Sequence, residues 1–113
     1  ECPVPYKRLL TPEILDWCIS TGRFRFIKDT CCDPILLEKR LQKLDGSSIQ
    51  LFNANAQTLL LSLRAGAAGY SGVMANFHPE LYVWLCRCFD REPQKASCLA
   101  ALLSVCAFTE SMA

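Results

Sequence analysis

An α/β chain with parallel strands is the expectation from this sequence, and three observations carry it. Short β-branched and aromatic segments alternate with segments of helical periodicity. Three strand ends fall near positions 29, 54 and 76, each one strand–helix unit from the next. The composition, 51% hydrophobic and 20% charged in 113 residues, excludes a disordered chain, which would be poor in apolar residues and heavily charged.

Each element announces itself locally. Thr11-Pro12-Glu13 opens the first helix with a hydroxyl at the N-cap, proline at the first helical position and an acid in the first turn. That helix carries Ile14, Leu15, Trp17, Cys18 and Ile19, and Gly22 stops it. Phe24 to Asp29 reads as the first strand. Asp33-Pro34 starts a second helix bearing Ile35, Leu36, Leu37 and Leu41, with Gly46 after it. Ile49 to Ala54 reads as a strand, and Ala56 to Ala65 as a helix stopped by Gly66. Gly69 to Asn76 reads as the third strand, with Gly72 inside it. His78-Pro79-Glu80 begins a helix through Phe89, His78 serving as its cap. The last helix, about Pro93 to Phe108, is apolar nearly all round and is expected to be covered by protein. Three parallel strands cannot bury two faces by themselves, and a barrel of eight strand–helix units needs ~250 residues. Residues 1–113 are therefore expected to be one part of a larger single domain.

Several functional classes are disfavoured. A formal net charge of +1 gives no electrostatic footprint for nucleic acid or an anionic membrane. No apolar run reaches the ~18 residues of a membrane span, and the first five residues lack the basic and apolar regions of a signal peptide. The eight cysteines do not follow metal-ligand spacing: Cys31 and Cys32 are adjacent, Cys86 and Cys88 have a single residue between them, and His78 has no partner at ligand spacing. A chain with only five glycines is not the loop-rich kind that disulfides staple. The expectation is free thiols used as small packing residues, with Cys98, Leu102 and Cys106 sharing one packed helix face.

The chemistry-bearing candidates lie at strand ends, where parallel α/β folds place their sites. Lys28 closes the first strand on a face shared with Phe24 and Phe26. Desolvation there would favour the neutral amine, which attacks carbonyls to form a Schiff base; a lysine simply reaching solvent is the plainer alternative. Asn53, Asn55 and Asn76 lie at or just past two strand ends, able to bond polyol or carboxylate groups or to serve in turns and caps. The Gly66–Gly69–Gly72 series precedes its strand, so it reads as a turn with close packing at Gly72 and not as a phosphate loop.

Three of these segments, in order, resemble one family. Ile27-Lys28-Asp29, Phe52-Asn53-Ala54-Asn55 and the run Gly69 to Asn76 with Pro79 after it are similar to the dihydrodipicolinate synthase and N-acetylneuraminate lyase superfamily. Those proteins are class I lysine-dependent aldolases on a (β/α)8 TIM barrel. The resemblance places this chain at strands six to eight with the C-terminal helices. It implies Lys28 as the catalytic Schiff-base residue toward pyruvate or another 2-oxo acid. It implies Asn53, Asn55 and Ser71 as substrate-binding residues, and an aldehyde as second substrate. It also implies no cofactor, no metal, a cytoplasmic location and a homo-oligomer in the full-length protein. The family's strand-five proton-relay tyrosine and its carboxylate-binding threonines would precede Glu1, so these 113 residues alone are expected to be inactive. The chain departs from the family at Pro5, where an arginine is usual in the synthases, and at Ala54 and Asn55, where glycine and an acid are usual. The loop facing the aldehyde therefore differs in polarity. The alternative expectation is a barrel of the same fold that binds a metabolite without catalysis.

Overall fold

The computed structural model describes residues 8–109. Cys2 and the Pro-rich start lie outside them. The order is α1 (Pro12–Thr21), β1 (Phe26–Asp29), α2 (Pro34–Leu44), β2 (Gln50–Asn53), α3 (Leu59–Arg64), β3 (Gly69–Tyr70), a 3-10 turn (Val73–Asn76), α4 (Pro79–Cys88) and α5 (Pro93–Phe108). The strands form a parallel sheet in the order β1-β2-β3, with Ile27 opposite Leu51, Lys28 opposite Phe52, and Asn53 opposite Tyr70. The chain is thus mixed α/β with a small parallel sheet, as the alternation predicts. No described helix is long and apolar enough to cross a membrane.

The helix starts follow their local signals. The Thr11 hydroxyl accepts from the Ile14 amide, and the Asp33 carboxylate accepts from the amides of Ile35 and Leu36. Each satisfies donors that a first helical turn leaves open. Gly22 ends α1 at φ 63°, a left-handed conformation that only glycine adopts without cost. His78 departs from expectation: it occupies the N-cap position of α4, but its side chain makes no capping hydrogen bond.

One face of the sheet packs into a core, and the other is open at β1. Ile27 and Leu51 pack with Leu15 and Cys18 of α1 and Leu37, Leu41 and Leu44 of α2, forming a first core. A second core gathers Leu59 and Leu63 of α3, Tyr82 and Leu85 of α4, and Ala96, Ala100 and Leu103 of α5. On the opposite sheet face Phe26 remains 65% exposed, its ring 5.9 Å from that of Phe52. Alternation of side chains along a strand makes this division sharp: Phe26 and Lys28 are exposed, Ile27 and Asp29 buried.

The boundaries move most at three places. Phe24 lies before β1 and packs edge-on against Trp17, 5.6 Å between centroids, drawn into the first core. Helix α3 begins at Leu59, because side-chain hydrogen bonds among Asn53, Asn55 and Thr58 hold the preceding residues in a turn. The third strand stops at Tyr70, and the chain turns into 3-10 geometry after Gly72.

Gly72 explains that turn. A methyl group there would overlap the folded-back Tyr70 side chain and the Ala54 carbonyl oxygen. The tyrosine ring stacks in turn on Tyr82, 4.1 Å between centroids and 6° between planes, so it cannot yield without disturbing α4. Gly72→Ala is expected to destabilise the fold by about 1–3 kcal/mol, the usual cost of overpacking. A urea unfolding midpoint equal to that of the parent would contradict this close packing.

Candidate functional site

The carboxyl ends of the three parallel strands converge on one end of the sheet, where Lys28, Asn53 and Ser71 lie. Lys28 projects from the face opposite the first core and is exposed. Among the described residues nothing buries Lys28, so the cover expected over it is not present there. Ser71 extends the ladder by one bond, its amide donating to the Asn53 carbonyl at 2.8 Å. Alternation after Gly69 and Tyr70 returns Ser71 to the face of Lys28. Across the sheet Lys28 is level with Phe52 and Gly69, and Ser71 lies two residues further along its strand, so the two are roughly 12 Å apart.

The asparagines behave differently. Asn53 is 1% exposed and points to the helix side. Its amide donates to the hydroxyls of Thr58 and Ser62 at 2.9 and 3.1 Å, and its carbonyl accepts from the Asn55 amide nitrogen at 2.8 Å. The Asn55 side chain accepts from both the backbone and the hydroxyl of Thr58. These two residues thus serve the β2–α3 turn and not the face that carries Lys28. Asn76 lies in the 3-10 turn, exposed, donating to the Val73 carbonyl.

Beside Lys28 sits an ion pair that sequence reasoning missed. Asp29 turns inward, 1% exposed, and meets the Arg40 guanidinium at 2.6 Å. Arg40 also donates to the Leu10 carbonyl at 2.8 Å, and the second Asp29 oxygen accepts from the Cys31 amide at 2.9 Å. The clue was available: Arg40 shares the buried face of α2 with Leu37, Leu41 and Leu44, where a cation must find an anion. Arg40→Leu leaves the Asp29 carboxylate buried without its cation and is expected to cost about 3–5 kcal/mol. Thermal and urea unfolding read that loss; a change below about 1 kcal/mol would show the pair to be marginal.

The seven described cysteines form no disulfide, and no described cluster of His, Cys, Asp or Glu could hold a metal ion. Four of them pack as expected, Cys18 within the first core, Cys31 against it, and Cys86 and Cys106 against the second. Cys18 is buried, whereas Cys32 and Cys98 are exposed and the others intermediate. The face of Cys98 and Leu102 is exposed because α5 buries its other side. Burial pushes the Cys31 thiol up to about 12, aided by its hydrogen bond to Asp29 and that carboxylate's charge. Burial likewise raises Cys86, against a backbone hydrogen bond at Tyr70.

The sign of the resulting pH dependence follows. Folded Cys31 holds its proton while an unfolded chain has lost it, so this contribution is complete below pH 9 and lost as pH rises toward about 12. Stability is expected to decline across that window, and Cys31→Ser to flatten the decline. Alkylation at pH 9 should label exposed Cys32 well before Cys31, as peptide mass mapping would show; equal rates would contradict the assignment.

Two hollows flank the sheet. The larger, about 560 Å³, lies at the opposite end of the strands between Leu41, Gly46, Ile49 and Gly66. It is remote from Lys28. The smaller, about 370 Å³, runs beside β3 between Phe52, Gly69, Tyr70 and α4, and reaches the Lys28 face through Phe52. No protein-family model matches the chain, and no curated protein matches it.

Proposed function

We propose that this chain is the strand-six to strand-eight part of a (β/α)8 barrel, and that the barrel is a class I aldolase or lyase acting through Lys28. The observation that carries the reading is the placement of Lys28: exposed at the carboxyl end of a parallel strand, on the sheet face opposite the first core. In a closed barrel that face is the interior and that end is the catalytic one. The ordered resemblance of the three strand-end segments supports the same reading. So does the one-sided core, which leaves Phe26 and Phe52 waiting for strands from elsewhere in a larger domain.

The chemistry assigned to Lys28 is nucleophilic. Its neutral amine adds to the ketone carbon of pyruvate or a related 2-oxo acid, and the carbinolamine loses water to give an iminium. The iminium accepts electrons from the adjacent carbon as a proton leaves, and the enamine adds to an aldehyde. The reverse sequence cleaves the carbon–carbon bond. Closure of the barrel over Lys28 would exclude water and favour the neutral amine. Ser71, on the same face, is assigned to the substrate. Asn53 and Asn55 are assigned to shaping the loop beside it, since their side chains are engaged within the turn.

Borohydride trapping tests the reading. Full-length protein incubated with pyruvate and then reduced should carry a carboxyethyl group on Lys28, located by peptide mass mapping. Lys28→Ala should abolish both adduct and turnover. Absence of an adduct with pyruvate and with several other 2-oxo acids would overturn the assignment. Adduct formation without turnover on any aldehyde would favour a metabolite-binding barrel.

A further inference from the structure

The strand that carries Lys28 is only four residues long, stands at one end of the sheet order and stops at Asp29, one residue past the amine. A slip of one residue along β2 would turn every side chain of β1 to the opposite face. Phe26 and Lys28 would then enter the core in place of Ile27 and Asp29. Apolar burial discriminates weakly between these registers, because Phe26 is as apolar as Ile27.

Three contacts at Asp29 oppose the slip. Its backbone carbonyl accepts from the Ala54 amide at 2.9 Å, joining the strand end to the β2–α3 turn. One carboxylate oxygen accepts from the Cys31 amide at 2.9 Å, fixing the chain as it leaves the strand. The other meets the Arg40 guanidinium at 2.6 Å, and Arg40 is itself held by the Leu10 carbonyl at 2.8 Å. The contact with Arg40 selects by charge. In the slipped register Lys28 would take the place of Asp29 beside Arg40, setting two cations together inside the protein.

We propose that Arg40 is a positioning residue for Lys28, acting through Asp29 to hold the amine on the open face of β1 where a 2-oxo acid meets it; this rests on the reading of Lys28 as the Schiff-base residue. Arg40 lies on the other side of the strand from the amine. Its removal should therefore slow the reaction of the amine without changing how substrate is bound.

Full-length protein mixed with pyruvate and quenched with borohydride at timed intervals, over a range of pyruvate concentrations, reads both quantities at Lys28 by peptide mass mapping. Arg40→Gln should lower the limiting rate of adduct formation at least about tenfold and leave the pyruvate concentration for half-maximal rate within about twofold. Arg40→Lys, which keeps the cation, should recover most of the rate. Should Arg40→Gln fail to fold, Asp29→Asn combined with it leaves no buried charge unpaired and takes its place, with the same loss of rate expected. A parental limiting rate in a folded variant, a loss confined to the half-maximal concentration, or Arg40→Lys as slow as Arg40→Gln overturns the positioning role. Absence of an adduct in the unsubstituted protein overturns the reading of Lys28 itself, and the role of Arg40 with it.

Discussion

The buried ion pair between Asp29 and Arg40 ties together parts of the chain that would otherwise meet only through apolar contact. Asp29 ends β1, Arg40 lies midway along α2, and the Leu10 carbonyl comes from the segment leading into α1. One guanidinium thus fixes a strand end, a helix face and the entry of the preceding helix. Apolar packing is non-directional, whereas this pair sets how far α2 may slide along the sheet. The adjacent Lys28 inherits that precision. Successive residues on a strand face opposite ways, so anchoring Asp29 inward holds Lys28 outward.

The same opposition organises the whole strand-end region. Everything on the helix side is engaged: Asn53 with Thr58 and Ser62, Tyr70 on Tyr82, Asp29 with Arg40. On the other side Lys28 and Phe26 are exposed, and Phe52 and Ser71 are half-buried. A polar network closed on itself can be rigid, and rigidity behind a reactive amine holds its direction. The division also separates two uses of polar residues that look alike in a sequence. Asn53 and Lys28 both sit near strand ends, but an even or odd position in the strand sends one into the protein and the other out.

Where a signal was local, it was legible. Proline after a capping Thr11 or Asp33 marked the helix starts to the residue, and Gly22 marked a stop, because caps involve neighbours three or four positions apart. The alternation of Phe26, Ile27, Lys28 and Asp29 likewise assigned Lys28 its face. What was not legible depended on distant partners. Gly69 to Asn76 reads as a strand until Gly72 is seen against Tyr70 and the Ala54 carbonyl. Asp29 and Arg40 are eleven residues apart in different elements, so neither names the other. Helix α5 looks buried all round from its composition, yet its neighbours α3 and α4 cover one side. Lys28 could be given a direction from its sequence but not a degree of exposure, which is set by whatever lies over the sheet.

The two cores have a consequence for the order in which the protein can be made. The first draws its residues from Leu15 to Ala67, the second from Ala56 to Leu103, so they overlap in sequence only across the short α3 region. A chain synthesised from its amino end has the whole first cluster, and the Asp29–Arg40 pair with it, once Ala67 has emerged. The residues that dock the strand bearing Lys28 are then all present before α4 and α5 exist. The carboxyl-terminal helices add no buried residue to that cluster and build the second one instead.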